Sequence, residues 1–150
     1  MRVKSCVVIV ASALLVAMVV PGMASAHGTH VTAKMSGSEV VGQPGAPNGK
    51  GRTYLHILRK KQKVRFKVNY SKIGGKAGMN IGVYSGKQGK DGKLEFTLTN
   101  RPSGSPVKGI ATGVPIQTLQ QLTRSPHRFH VTLKNDSYPV DGAIRGQLKA

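Results

Sequence analysis

The sequence predicts an all-β domain: an antiparallel β-sandwich or barrel of about seven strands, with one short helix at about 115–124. Three observations carry that expectation. Apolar and polar residues alternate with period two through most of the chain beyond residue 30, as in strands with one buried face. Clusters rich in Gly, Pro, Asn and Ser separate the alternating runs. One stretch alone drops the alternation for three-residue spacing. A length of 150 residues supports one domain and leaves no room for two sizeable cores.

In chain order, Val31, Ala33 and Met35 alternate with Thr32 and Lys34. Leu55 and Ile57 sit in an extended run from Arg52 to Leu58. Val64, Phe66, Val68 and Tyr70 alternate with Arg65, Lys67 and Asn69, the clearest strand of all. Leu94, Phe96 and Leu98 alternate with Glu95, Thr97 and Thr99, and Phe129, Val131 and Leu133 with His130, Thr132 and Lys134. Ile144 and Leu148 share a final strand with Arg145 and Gln147. Each run is expected to keep one face in water. Turn signals fall at Gly42–Gly51, Arg59–Gln62, Gly74-Gly75, Gly86–Gly92 and Arg101–Pro106. Ile116, Leu119 and Leu122 recur at three-residue spacing, with Pro115 at the start and Pro126 just past the end, which predicts the helix.

Residues 1–26 read as a cleaved secretory signal peptide. Arg2 and Lys4 precede an uncharged run from Cys6 to Val20, Pro21-Gly22 breaks it, and Ala24-Ser25-Ala26 offers a small-x-small cleavage site. The run is shorter than the ~20 apolar residues a membrane span needs. The expected mature domain is 27–150, secreted and without a transmembrane span. Cys6 is the only cysteine, so that domain has no thiol for a disulfide, a Cys-based zinc site or redox chemistry. Two sequons, at Asn69 and Asn135, matter only in a eukaryotic secretory pathway.

Charge is the strongest chemical signal. Lys and Arg number 23 against 5 Asp and Glu, for a net charge of +18. Ordinary solubility needs only a net charge of ~2–8. Arg59, Lys60, Lys61 and Lys63 fill a hairpin turn, and Arg65 and Lys67 continue along the polar face of the next strand. Lys87, Lys90 and Lys93 form a second cluster around a Gly-rich loop. The plainer reading of both is a charged surface that keeps strand edges from aggregating. The sharper reading is that they concentrate anionic polymers: teichoic acids, acidic polysaccharides, anionic lipid head groups or released nucleic acid. Sequence-specific nucleic-acid recognition is not expected, since 4 Tyr and 3 Phe give no stacking platform among the cations.

A second candidate is copper at a mature N-terminus. The His27 amine and ring, with another imidazole from His30, His56 or His130, offer nitrogen donors suited to Cu(II). The plainer reading is a solvated His-Gly-Thr-His tail, and no cofactor is expected. Ser36, Ser38, His56, Asp91, Asp136 and Asp141 make no nucleophile elbow or paired-carboxylate motif, so no catalytic residue is assigned.

The segment from Ser125 to Leu148, ending Gly142-Ala143-Ile144-Arg145-Gly146-Gln147-Leu148, resembles the end of a CHRD (chordin-type) domain. Val31–Val40, with Met35-Ser36-Gly37-Ser38-Glu39-Val40, looks like that family's opening strand; Asn48–Thr53 and Val107–Thr112 are similar to its internal segments. The resemblance implies an immunoglobulin-like sandwich or barrel. It also implies a secreted module without assigned activity in stand-alone bacterial members, and an extracellular protein partner in chordin itself. That leaves a protein–protein module working through a sheet edge as a further reading, with no partner identified. In that ending Arg145 reads equally as a binding residue or as a structural one, pairing with Asp136, Asp141 or backbone carbonyls. Gly142 and Gly146 are expected to permit tight backbone geometry. The family usually carries His-Ile-His in a middle strand and another His in the penultimate one. Asn80, Gly82 and Lys134 stand there in this chain, so a metal site built on those imidazoles is expected to be lost.

Overall fold

The computed structural model describes residues 28–75, 80–102 and 104–150. The expected signal peptide and His27 lie outside them. No helix among the described residues is long and apolar enough to cross a membrane.

The strands are β1 (Thr29–Ser36), β2 (Lys50–Leu58), β3 (Lys63–Ser71), β4 (Asn80–Ser85), β5 (Leu94–Thr99), β6 (Val107–Thr112), β7 (Phe129–Lys134) and β8 (Ile144–Gln147), with helix α1 (Ile116–Arg124) before β7. They form a single sheet in the order β5-β4-β7-β8-β1-β2-β3-β6, antiparallel at every pairing. The sheet curls until its terminal strands β5 and β6 meet, giving a nearly closed barrel, so its two edges largely face each other. The all-β class, the antiparallel pairing and the helix are as the sequence predicts. The strand count is eight instead of about seven, and Gly42–Gly51, expected as a turn, already contains the start of β2.

Alternation drives the fold. Val31, Ala33 and Met35 of β1 meet Leu55 and Ile57 of β2 and Val64, Phe66 and Val68 of β3 in one interior, shared with Ile81, Val83, Val131, Leu133, Ile144 and Leu148. α1 carries Leu119 and Leu122, both fully buried, into that core, and lies beside the Arg59–Lys61 turn and the short helical turn Pro126–Arg128. It therefore covers the barrel end where β2 hands over to β3 and β7 begins. At the other end, the Asn135 amide donates to the carbonyls of Ile73 (3.2 Å) and Gly74 (2.6 Å), while its oxygen accepts from the Tyr138 N–H. Asn135 is fully buried. Its sequon is thus closed to glycosylation in the folded protein.

The expectation of one wet face per strand holds for β1, β2 and β3 and fails for β7 and β8. The first five residues of β7 and the first three of β8 are buried on both faces. The cause is a loop, residues 86–93, folded over the outside of β8.

Gly146 shows how tightly the chain is drawn together here. A Cβ on it would sit 2.1 Å from the Lys34 carbonyl oxygen of β1. Gly146→Ala must push β8 from β1, and it is expected to lower unfolding free energy by about 2–4 kcal/mol in urea titration. A change within ~0.5 kcal/mol, the usual range for an uninvolved surface position, would show that the approach is not tight.

Candidate basic face and the loop clamp

The outward positions of β1, β2, β3 and β6 follow from the pleat. They include seven cations, Lys34, Lys50, Arg52, Lys63, Arg65, Lys67 and Lys108, together with His30, Tyr54, His56 and Ile110. Register sets their neighbours. Lys34 stands opposite Arg52, and Lys67 lies between Tyr54 and Lys108. Arg65 lies between His56 and Ile110. Along a strand such side chains recur every ~7 Å, and across strands every ~5 Å. No carboxylate occurs in any of these four strands. The ion pairs among the described residues, Lys93–Glu95 and Arg145–Asp91, both lie elsewhere.

Of the residues singled out from the sequence, Lys63, Arg65 and Lys67 do share one face, and Arg59, Lys60 and Lys61 cap its end as an exposed helical turn. Lys87, Lys90 and Lys93 do not join them; their loop overlies β8, with β1 and β2 between it and β3. Lys34, Lys50, Arg52 and Lys108 belong to the face and went unnoticed. Lys34 and Lys108 are lone cations in their strands, Lys50 and Arg52 share β2, and the sheet order lines these strands up with β3.

His30 stacks on His56 across β1 and β2, ring centroids 4.4 Å apart. Desolvation, helped by His30 and Arg65, lowers the pKa of His56. His130 is not part of this pair. It lies on β7 stacked against Tyr84, with centroids 5.6 Å apart. Asn80 and Lys134 face each other across β4 and β7, and Gly82 faces Thr132. Asn80, Gly82 and Lys134 therefore come together in space and present an amide, no side chain and an ammonium.

Beneath the 86–93 loop, β8 turns Arg145 and Gln147 outward. Arg145 is nearly fully buried and donates to the carbonyls of Lys90 (2.6 Å) and Lys87 (3.1 Å) and to Asp91 Oδ1 (3.4 Å). Its carboxylate partner is thus Asp91. Asp141 instead accepts from the Gln43 backbone N–H, and Asp136 from that of Ser137. The Gln147 amide nitrogen shares its two hydrogens among the carbonyls of Gly86 (2.9 Å), His127 (2.7 Å) and Phe129 (2.8 Å). In the Ile144–Leu148 motif, then, the inward residues Ile144 and Leu148 fill the core, Gly146 admits β1, and Arg145 and Gln147 hold the loop. Gly142, at φ +101°, sits in the left-handed region open to glycine.

The nearest Arg145 nitrogen lies 3.2 Å from His130 Nδ1. A guanidinium only donates, so Nδ1 accepts and the ring proton sits on Nε2. Gly86 O, 3.4 Å from the same nitrogen, is already held by Gln147. Burial, and then the Arg145 charge, push the His130 pKa down to about 4. Above pH ~6.5 the ring is neutral folded or unfolded and contributes nothing to pH dependence. Between pH ~6.5 and about 4 the unfolded chain binds a proton that the folded one refuses, so stability falls as pH falls, by roughly 3 kcal/mol in all. His130→Phe is expected to remove about one proton's worth of slope from unfolding free energy over that window, measured by urea titration at several pH values. An unchanged slope would place the titration elsewhere.

Comparison with known proteins gives one family match: the CHRD domain model aligns with residues 31–148. No curated protein and no solved structure matches the chain. The matched region takes in all eight strands except the first two residues of β1, together with both clamp residues. The chain belongs to the CHRD domain family.

Proposed function

We propose that this chain is a secreted, non-catalytic binding module that holds anionic extracellular or cell-envelope polymers on the outer face of β1, β2, β3 and β6. The observation that carries the reading is the composition of that face: seven outward cations, no carboxylate and no ion pair among them. Like charges directly opposite in a sheet, such as Lys34 with Arg52 and Lys67 with Lys108, cost stability. A face that only had to stay soluble would mix the two signs. A flexible polyanion laid across it would relieve that repulsion and release its own counterions. The basic start, the apolar run from Cys6 to Val20 and Ala24-Ser25-Ala26 support export, and family membership supports a binding or structural module. The Lys87–Lys93 loop adds long-range attraction from a neighbouring surface.

Retention on an anionic matrix over a salt series tests the reading. The double reversal Arg52→Glu with Lys67→Glu is expected to elute at clearly lower salt, with the slope of log affinity against log salt shallower by about 0.7–0.9 for each lost contact. Lys72→Glu with Arg101→Glu, exposed cations outside the face, makes the same change in net charge and is expected to retain most of the wild-type slope. Equal losses from both pairs would contradict the assignment, since net charge alone would then govern binding.

A further inference from the structure

A concave site on the far side of the 86–93 loop lies outside the basic face. It is a cavity of about 420 Å³ between the residues following β4, the C-terminal end of α1 and the turn into β7. Lys87, Arg124 and Arg128 line it, and no Asp or Glu does. A hydroxyl comes from Ser125 and an amide from Gln121; the Ser85 hydroxyl is bonded to the Lys93 backbone, and Phe129 lines the cavity while its side chain is buried in the core.

Six backbone carbonyls around the cavity already have partners, which bears on what remains to bind. Gly86 O and Phe129 O accept from Gln147, and Lys87 O from Arg145. Gln121 O accepts from the Ser125 N–H, Ser125 O from the Arg128 N–H, and Arg128 O from the Gly86 N–H. The Thr123 hydroxyl also takes up the Leu119 carbonyl at the end of α1, trimming the negative end of the helix dipole. Most of the carbonyl oxygens that would repel an anion are thus occupied. The free polar groups in the wall are dominated by donors: two guanidinium forks, an ammonium, a hydroxyl and an amide. The volume is within the ~300–1,000 Å³ of small-molecule sites, far more than a bare oxyanion fills.

We infer that this cavity is a binding site for a phosphate ester of a polyol, with the phosphate held by Arg124, Arg128 and Lys87 and the polyol body against Gln121 and Ser125. Guanidinium forks match two phosphate oxygens at once, and a sugar-sized body offers hydroxyls to Gln121 and Ser125. The inference does not depend on the polyanion reading of the sheet face. The ester can be a free metabolite or the end of a phosphate-bearing polymer, and the shared chemistry is the terminal phosphate on a polyol.

Calorimetric titration of the chain lacking residues 1–26, at about 0.15 M salt where charges beyond ~8 Å are screened, tests it. The probes are glucose 6-phosphate, glycerol 3-phosphate, inorganic phosphate and glucose. At least one of the two esters is expected to bind about tenfold or more tightly than both inorganic phosphate and glucose. Arg124→Ala with Arg128→Ala, two exposed positions, is expected to weaken that ester about tenfold or more while leaving the melting temperature and circular dichroism unchanged. Arg52→Glu with Lys67→Glu is expected to leave ester binding within about twofold, which separates the cavity from the face. A polymer bearing terminal phosphates that competes with the ester, where the phosphatase-treated polymer does not, assigns the polymer-end source; no competition assigns the free ester. Failure of both esters to bind, binding no tighter than inorganic phosphate, or binding indifferent to the arginine pair would overturn the inference.

Discussion

The pleat of β1, β2, β3 and β6 is the constraint on which the rest depends. A curled sheet has one interior, so a strand whose outer face nothing covers commits every second residue to water. With Val31, Ala33, Met35, Leu55, Ile57, Val64 and Val68 claimed by the core, the intervening cations have nowhere else to go. Antiparallel pairing then aligns them across strands whether or not their repulsion is convenient. The barrel could accommodate compensating carboxylates at those same outward positions without touching the core. It carries them elsewhere: Asp91 under Arg145, Glu95 beside Lys93, Glu39 near Gln88, and Asp136 and Asp141 on backbone N–H groups. The separation of sign is a property of where residues sit in the pleat, and the core does not require it.

Cations therefore play two different parts in one molecule. Arg145 is buried, and its donors are spent on carbonyls and a carboxylate, as a desolvated guanidinium demands. With Gln147 it draws the carbonyls of the 86–93 loop inward, and the loop lysines are left facing out. The same bonds occupy the carbonyls that wall the cavity beside α1. A strand ending written as Ile-Arg-Gly-Gln-Leu thus fixes the core, one strand contact and a loop, while binding is left to side chains it never touches.

Much of this fold is legible in the alternation. The runs around Val31, Leu55, Phe66, Phe96, Val131 and Ile144 all become strands, and Ile116, Leu119 and Leu122 lie on α1. β4 and β6 do not announce themselves, for physical reasons. The inward side of β6 includes Gly109 and Ala111, while its largest apolar side chain, Ile110, is 53% exposed. Gly109 is needed because a Cβ there would meet the Phe66 ring at 2.6 Å. In β4, Gly82 interrupts Ile81 and Val83, and a Cβ there would meet Leu94 at 2.7 Å. The double burial of β7 was equally hidden, since His130 and Thr132 read as a wet face until the loop that covers them is in place. The hairpin cations were visible as a run. Lys34, Arg52 and Lys108 joined them through long-range register, and the cavity arises from segments some 35 residues apart, which local spacing does not encode.

The central claim is that binding follows the face and not the net charge. Chemical-shift mapping of the folded domain with an inorganic polyphosphate, titrated at physiological salt, addresses it most directly. The account predicts that side-chain and amide shifts concentrate on the outward residues of β1, β2, β3 and β6, with Arg52, Arg65, Lys67 and Lys108 moving most. Shifts spread evenly over Lys72, Lys90, Lys93, Arg101 and the strand residues alike would contradict it.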